Sequence, residues 1–328
     1  MKPRYFIFLC WAWILCLWLK MAFYTDLERE REKEIFIPPG TSITGTARIL
    51  REETATSPYL FRLFLFLSRT DKVIAGRYLI APGSSIREIT RKLASGPLQE
   101  KVTFPEGLTS LQMASILEEK GLCKGEEYLA LLSCPGIFKR EWLKNVTHLE
   151  GFLFPDTYKF TLPSSPYEII ETQLKRFEEL VLPLYEKSTT SLSLPEVVIL
   201  ASIVEKEASG RDEKPYVASV FLNRLKKGMK LQSCATVVYA HYRESGIHLH
   251  SLSTEDLQID SPFNTYRYKG LPPQAIGNPG LDAIRAILYP KDTDYLYFVL
   301  QENGRHAFSI TYDEHLDKKG GSHEKSKE

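Results

Sequence analysis

Two glutamates separated by one lysine are the residues whose types and spacing most directly suggest chemistry. Glu205 and Glu207 lie near the end of a mostly apolar stretch that begins at Ser193. A carboxyl group on the buried face of a helix is disfavoured in its charged form, and the resulting rise in its pKa suits a general acid. The alternative is structural, because a glutamate that ends a helix can simply pair with a core arginine.

The helix that would carry both glutamates has a clear start. Ser193 and Glu196 have the spacing of a capping box, and Pro195 lies in the first turn, where a missing N–H costs little. At 100° per residue, one apolar stripe contains Val197, Leu200, Ile203, Val204 and Glu207. Glu205 points more than about 100° away from Glu207 on this geometry, and Lys206 points away from both. The pattern favours Glu207 as the acid and leaves Glu205 a supporting role.

The composition is that of an ordinary globular protein, with 328 residues, 43% hydrophobic and 25% charged. This length predicts about two or three domains. A formal net charge of +1 argues against a general nucleic-acid binder, because no basic surplus is available to neutralise phosphates. We therefore expect a neutral or mixed-charge ligand.

The first residues predict a membrane anchor. Lys2 and Arg4 precede an apolar run at positions 5–19, which positions 21–24 extend past Lys20. The run is long enough to span a bilayer, and the basic residues before it place the N-terminus in the cytoplasm. A cleaved signal peptide is the alternative, although the end of the run lacks a small-x-small cleavage site.

A weak internal repeat follows the charged run at 26–34. Segments 35–43, 78–86 and 102–111 each predict a short strand, a Pro/Gly turn and the start of an amphipathic helix. Such units resemble LysM modules, which bind glycan chains. A plain membrane-proximal α+β domain is the alternative.

Several later stretches carry candidate binding residues. Segment 145–160 combines aromatic rings with Glu150 and Asp156, a composition that fits either a sugar subsite or a core with a turn. Asn223 and Arg224 are neighbours on an otherwise apolar helix, so at least one is expected to face a polar pocket. The Pro-, Gly- and Asn-rich stretch 261–280 predicts a functional loop, and 295–300 with 306–311 predicts a hairpin.

Cysteine spacing adds little. Cys123, Cys134 and Cys234 follow the membrane run, and their spacings match no zinc motif. Cys123 and Cys134 are either a disulfide or free, partly buried thiols.

Eight short motifs together resemble one family, the MltG (YceG-like) endolytic murein transglycosylases. They are Glu-Gly-Phe-Leu-Phe-Pro-Asp-Thr-Tyr at 150–158, Ala-Ser-Ile-Val-Glu-Lys-Glu at 201–207, Val-Ala-Ser-Val-Phe-Leu-Asn-Arg-Leu at 217–225, Gly-Met-Lys-Leu-Gln-Ser at 228–233, Ser-Pro-Phe-Asn-Thr-Tyr at 261–266, Gly-Leu-Pro-Pro at 270–273, Asn-Pro-Gly at 278–280 and Tyr-Leu-Tyr-Phe-Val at 295–299. With the N-terminal anchor and the LysM-like region, the resemblance covers essentially the whole chain in order.

The resemblance implies a peptidoglycan lytic transglycosylase that uses no metal or cofactor. Glu207, the second acid of Glu-Lys-Glu, would protonate the leaving oxygen of a bond between N-acetylmuramic acid and N-acetylglucosamine. It would then act as a base on the muramyl 6-hydroxyl, giving a 1,6-anhydro end. Candidate substrate-binding residues are Asn223, Arg224, Gln232, Ser233, Asn264, Thr265 and Tyr266. The alternative for the asparagines, Gln232, Thr265 and Tyr266 is a structural polar group whose hydrogen bonds are satisfied within the protein. Glu205, Glu150 and Asp156 would support them.

The implied architecture is α+β and is divided into five segments. These are a cytoplasmic N-terminus and transmembrane helix at 1–24, a charged stalk at 25–34, a LysM-like region at 35–144, a mixed α+β catalytic domain at 145–316 with the acid on a buried helix, and a disordered tail at 317–328. The protein would cross the inner membrane once, with its catalytic domain on the extracytoplasmic side. It would act on nascent glycan strands beside peptidoglycan synthases.

Four positions depart from the family pattern. Cys234-Ala235 replaces a usual Asp-Pro, Gln274 replaces a usual Gly, and Ala208 replaces a commoner Thr or Ser. Two other functions therefore remain open. One is a lysozyme-like muramidase that uses Glu207 with Asp212 or Glu205 as a second acid, and the other is a non-catalytic wall-binding scaffold.

Overall fold

The computed structural model describes residue 13 and residues 32–54, 56–67, 73–247 and 249–320. The described residues divide into two compact units. One is formed by those up to 101 with 120–122 and 159–164, and the other by 102–119, 123–158 and those from 165 onwards. Apart from residue 13, the predicted anchor at 1–24 lies outside the described residues, as does most of the stalk at 25–34. Among the described helices, none combines the length and apolarity needed to cross a bilayer.

The first unit is built on a two-stranded sheet. Its elements are β1 (Lys33–Ile37), α1 (Ile43–Thr54), α2 (Pro58–Leu67), β2 (Gly76–Ile80) and α3 (Ile86–Ser95). β1 and β2 pair antiparallel, with Lys33 opposite Ile80 and Ile37 opposite Gly76. Because side chains alternate along a strand, Ile35 and Ile37 point into a core that also holds Leu50, Phe61 and Leu93.

The strand-turn-helix units predicted from the sequence are present. Gly40, Gly83 and Gly107 have φ values of 76°, 71° and 78°, the left-handed turn conformation that glycine adopts without strain. Each is followed by a helix. Helix α2 was not predicted, because its ten residues are apolar on nearly all sides and show little periodicity.

The second unit is mainly helical. The helices and the small sheets together make the fold mixed α+β, as predicted. Along the remaining chain the elements are β3 (Gln99–Thr103), α4 (Ser110–Glu119), α5 (Gly125–Leu132), β4 (Thr157–Thr161), α6 (Pro166–Lys187), α7 (Leu194–Glu207), α8 (Lys214–Lys226), α9 (Cys234–Ser245), α10 (Leu281–Leu288), β5 (Tyr297–Leu300), β6 (His306–Ser309) and α11 (Tyr312–Gly320). β3 pairs with β4. β5 and β6 form the predicted antiparallel hairpin.

Helix α7 lies at the centre of the second unit. It begins at Leu194, where the Ser193 N–H donates to Glu196 at 2.7 Å in the predicted capping box. Helices α8, α9 and α10 all pack against it, and every residue from 197 to 204 is buried. The apolar residues of the predicted stripe are buried, and the positions between them are buried too, so this part of the helix is covered on all sides, as core helices are.

The structure also decides between two pairs of alternatives that the sequence left open. The rings of Phe152, Phe154 and Tyr158 are buried, so the aromatic stretch forms core rather than a sugar subsite. Cys123 and Cys134 are free thiols, and no disulfide joins them.

The predicted domain boundary at 144 stays a prediction. The compact units group residues 123–144 with the second unit. The tail was predicted to begin at 317, but residues 312–320 form α11. Residues 321–328 lie outside the described part.

Candidate active site

A cavity of about 530 Å³ opens beside the C-terminal end of α7. Its lining comes from the end of α7, one face of α9, the start of α4 and residues 249–252. Glu207 is the only carboxylate among the lining residues in the described part of the chain. The residue that the Glu-Lys-Glu motif singles out thus lies where a ligand can reach it.

The Glu207 carboxylate is held at the N-terminus of α9. Its Oε1 accepts a hydrogen bond of 2.5 Å from the Ser233 hydroxyl and one of 3.1 Å from the Ala235 N–H. Among the described residues no donor is bonded to Oε2. One oxygen is therefore fixed by the protein and the other is left for a ligand.

Ser233 is itself fixed by a small buried network of hydroxyl groups. Its N–H donates to Thr265 Oγ1 at 3.0 Å, and Thr236 bonds both the Ser233 carbonyl at 2.7 Å and Thr265 Oγ1 at 2.8 Å. Thr265 is 2% exposed. Of the predicted binding residues, Ser233 thus contacts Glu207 directly, whereas Thr265 positions Ser233.

Gln232 and Tyr266 flank this network. Gln232 is exposed and has φ 49°, a left-handed conformation that a non-glycine residue holds only when its surroundings impose it. Its N–H donates to the Thr265 carbonyl at 3.2 Å. The Tyr266 hydroxyl lies 3.1 Å from the Cys234 sulfur, and burial raises the pKa of Tyr266.

The two asparagines predicted to bind substrate do not reach the cavity. The Asn264 side chain is fully buried and donates to the carbonyls of Leu257 and Ile259, both at 2.9 Å. Asn223 donates to the carbonyls of Thr293 and Tyr295 at 2.6 and 3.1 Å. Both side-chain amides donate hydrogen bonds to carbonyl groups of irregular backbone. The sequence alone could not distinguish this structural role from ligand binding.

The Arg224 side chain also donates its hydrogen bonds to backbone carbonyl groups. Its Nε donates to the Leu296 carbonyl at 2.6 Å and its Nη1 to the Leu231 carbonyl at 2.7 Å. Its guanidinium lies 5.2 Å from the centre of the Tyr297 ring. Burial lowers the pKa of Arg224, and the nearby Tyr297, Tyr266 and Glu207 partly oppose that effect.

Glu205 is more deeply buried than the stripe argument predicted. Its side chain is 8% exposed, and its Oε1 accepts a hydrogen bond of 2.7 Å from the equally buried Lys214. Its Oε2 accepts from the Gly280 N–H at 3.0 Å. Glu205 therefore forms a structural ion pair with Lys214.

Glu150 lies in a buried polar network behind the cavity wall. It accepts hydrogen bonds from the N–H and hydroxyl of Ser110, from the Asn278 amide at 3.0 Å and from the Tyr239 hydroxyl at 3.5 Å. Burial raises the pKa of Glu150 from 4.5 to about 7, although these donors oppose the rise. Tyr239 lines the cavity, so its hydroxyl connects Glu150 to the site.

Asp156 does not belong to the cavity. Its Oδ2 accepts a hydrogen bond of 2.8 Å from Arg176 on α6 and its Oδ1 accepts from the Thr157 N–H at 2.7 Å. In the structure Asp156, predicted as a supporting residue, forms a surface ion pair just before β4 begins.

Sequence reasoning missed most of the cavity lining. The lining residues that were not predicted include Gln112, Lys206, Tyr239, Tyr242 and His250. A signal was available for α9, since Ala235, Val238, Tyr239 and Tyr242 follow the i, i+3, i+4, i+7 spacing of one helical face. Lys206 lines the cavity, although the spacing of residues around the helix predicted that it points away from both Glu205 and Glu207. Burial lowers its pKa, while Glu150 and Glu205 partly oppose the change.

The site shows no metal centre. Within the described residues no cluster of three or more His, Cys, Asp or Glu side chains could hold a metal ion.

Comparisons with known proteins agree on one family. The sequence profile of the YceG-like family matches residues 35–320. A Bacillus subtilis (strain 168) protein named endolytic murein transglycosylase is 34% identical over 299 residues, which cover 86% of this chain and 82% of that protein. A protein of the same name from Streptococcus pneumoniae serotype 2 is 26% identical over 331 residues, covering 92% of this chain and 60% of the relative.

A solved structure is also similar. The crystal structure of a yceG-like protein from Listeria monocytogenes matches with a TM-score of 0.59 and 30% sequence identity, covering 88% of this chain and 99% of that chain.

Proposed function

This chain belongs to the YceG-like family, and on that basis we propose that it is an endolytic lytic transglycosylase of peptidoglycan. Its substrate is the β-1,4 bond between N-acetylmuramic acid and N-acetylglucosamine inside a glycan strand. The products carry a 1,6-anhydro end, and cleavage limits strand length. The relatives named endolytic murein transglycosylase support this assignment.

One observation carries the proposal: among the described residues Glu207 is the one carboxylate that lines a cavity of about 530 Å³, with one oxygen held and the other open. This volume lies within the range of about 300–1,000 Å³ that small-molecule sites occupy. The Tyr239 and Tyr242 rings in the wall offer apolar surface to sugar rings.

The chemistry needs only one carboxyl group. Glu207 donates its proton to the glycosidic oxygen as the bond to the anomeric carbon breaks. The resulting carboxylate then accepts the proton of the muramyl 6-hydroxyl as that oxygen bonds to the same carbon. The proton count on Glu207 is restored and no water is consumed, whereas ordinary glycosidases require a second carboxylate.

The muramidase alternative is less well supported by the surroundings of its second acid. Both oxygens of Glu205 are bonded, to Lys214 and to the Gly280 N–H. Asp212 is exposed and is not among the residues that line the cavity.

The scaffold alternative rests on the change to Cys234-Ala235. Proline has no N–H, whereas the Ala235 N–H donates to Glu207 Oε1 at 3.1 Å. Ala235 therefore gives the acid a hydrogen bond that a proline at this position could not donate, which favours a working site.

The finer architecture is also part of this proposal. The order β1-α1-α2-β2 with antiparallel strands supports a LysM-like glycan-binding module in the first unit. The apolar run at 5–24 would anchor the chain in the cytoplasmic membrane with both units outside. We place the catalytic domain at 145–316 with contributions from α4, and the enzyme beside peptidoglycan synthases.

Substitution of Glu207 tests the assignment. Glu207→Gln keeps the side-chain volume and an oxygen that can accept from Ser233, but removes the transferable proton. General acid–base catalysis contributes about 10²–10⁴-fold, so we expect activity to fall by about 10³-fold on purified glycan strands. Mass analysis of the digest measures the 1,6-anhydro products.

Asp212→Asn is the matched control and should retain activity. Digestion that yields reducing ends without anhydro ends would establish the muramidase instead. Unchanged glycan-chain lengths in cells that carry Glu207→Gln would favour the scaffold.

A further inference from the structure

Helix α2 has an apolar face that nothing in the described part of the chain covers. The exposed side chains Tyr59, Leu63, Phe66 and Leu67 are 82, 38, 82 and 62% exposed. Their spacing of i, i+4, i+7 and i+8 places them on one side of the helix, while Phe61 and Leu65 on the other side enter the core. Contiguous apolar patches of this kind mark interaction sites.

An arginine-lined cavity adjoins this face. Arg48 and Arg51 from α1 and Arg62 from α2 line a space of about 510 Å³ together with Tyr59. None of the three arginines forms an ion pair with a described residue, and the exposed neighbour Glu52 is not part of the lining. Because Tyr59 belongs to both features, the cationic cavity and the apolar face form one continuous surface.

We propose that this surface docks on a bilayer that contains anionic phospholipids. The guanidinium groups bind headgroup phosphates, for which their planar, multidentate geometry is suited. Phe66, Leu67 and Leu63 enter the boundary between headgroups and acyl chains, as the apolar face of an interfacial helix does.

The position of α2 in the chain supports a bilayer as the binding partner of this surface. This step rests on the membrane anchor of the proposed function. Residues 25–32 connect the apolar run to β1, and eight residues reach at most about 30 Å. The first unit is thereby held within reach of the membrane surface. A second copy of the same face would bring three arginines against three arginines, which disfavours self-association.

Site-specific photo-crosslinking in nanodiscs tests the proposal with the full-length chain. Benzoylphenylalanine replaces Phe66 in one preparation and Phe36 in another, which is the matched control. Phe36 is an exposed phenylalanine of the same unit, on the face of β1 opposite Ile35 and Ile37. Each preparation is placed in phosphatidylglycerol or phosphatidylcholine nanodiscs, and mass spectrometry measures lipid adducts after illumination.

We expect at least about fivefold more phosphatidylglycerol adduct at position 66 than at position 36. We also expect the double variant Arg48→Gln/Arg62→Gln to reduce that adduct toward the phosphatidylcholine level without changing glycan cleavage. Equal adduct at the two positions, no preference for the anionic lipid, or crosslinked pairs of chains would overturn the proposal. If the chain entered neither nanodisc, the anchor and this proposal would both be overturned. If the unsubstituted chain entered the nanodiscs but did not cleave glycan strands, only the proposed function would be overturned.

Discussion

At the scale of single residues, the site separates two chemically identical side chains by their surroundings. Glu205 and Glu207 are two positions apart on one helix. The Glu205 carboxylate is enclosed by Lys214 and a backbone N–H, whereas Glu207 borders a cavity and is held through one oxygen. An acid that must exchange protons with a substrate needs the second arrangement.

The Ser233 hydroxyl is predicted to hold Glu207 in its working position. Ser233→Ala removes the 2.5 Å hydrogen bond to Oε1. Hydrogen bonds to charged groups are worth about 1.5–3 kcal/mol, so we expect kcat to fall by about tenfold to a hundredfold with little change in KM. Steady-state kinetics on glycan strands measures both.

Ser233→Thr keeps the hydroxyl and is expected to restore most of the rate. If the alanine variant instead raised KM at constant kcat, Ser233 would be a substrate contact rather than a positioning residue.

Glu150 is predicted to make the stability of the protein depend on pH. Its pKa is raised from 4.5 to about 7 in the folded state, so the folded protein retains a proton that the unfolded chain has lost between these values. Stability therefore falls as the pH rises from about 4.5 to 7, by about 3 kcal/mol in total. Glu150→Gln should flatten this dependence, as thermal unfolding at a series of pH values will measure.

The exposed Glu126→Gln serves as the control for that series. The interpretation fails if the melting temperature of Glu150→Gln changes with pH as steeply as that of the unsubstituted protein.

At the scale of elements, the acid is held where the ends of two helices meet. The last residue of α7 meets the first turn of α9, where unpaired N–H groups and the helix dipole favour a carboxylate. The loop at 261–280 fixes this meeting through Thr265, which bonds Ser233. The loop was predicted to be functional, and its part in the site is to hold the backbone in place.

Gly151 is predicted to be required for the packing of α7 against the preceding segment. Its φ is +94°, and a Cβ there would lie 2.6 Å from Val198 Cγ1 and 2.5 Å from Ala275 Cβ. Backbone strain and overpacking together should lower the stability of Gly151→Ala by about 2–5 kcal/mol. Thermal unfolding measures the loss.

Gly210→Ala is the matched control, because nothing lies within 4 Å of its Cβ position. Similar melting temperatures for the two variants would contradict the close approach at Gly151.

At the scale of the whole molecule, the two compact units have different contents. The second unit holds the acid and its cavity, while the first holds the sheet with the exposed α2 face. With the apolar N-terminal run, these two units fit the proposed function of a membrane-anchored enzyme that cleaves glycan strands.

The apolar run is predicted to be an integral anchor. Ile14→Arg/Leu17→Arg places two charges in its centre, each costing about 2.5–3.5 kcal/mol on insertion scales. When membranes are extracted with alkaline carbonate, we expect the unsubstituted protein to stay in the membrane fraction. We expect the double variant to be lost from that fraction. Ile14→Leu/Leu17→Ile is the conservative control, and full retention of the arginine variant would show that the run does not span.

The sequence by itself determined the family, the mixed α+β class, the start of α7, the strand-turn-helix units, the C-terminal hairpin and Glu207 as the leading candidate acid. These depend on local patterns, such as the capping spacing at Ser193 and Glu196, or on motifs that are contiguous in the chain. Only the tertiary structure decided which polar residues near the motifs face the cavity. Asn223, Asn264 and Arg224 are as polar as Ser233, but packing aims them at backbone carbonyls that lie up to 72 positions away. A buried polar group takes whatever partner the fold brings to it, and the partner, unlike the residue type, is not written in the neighbouring sequence.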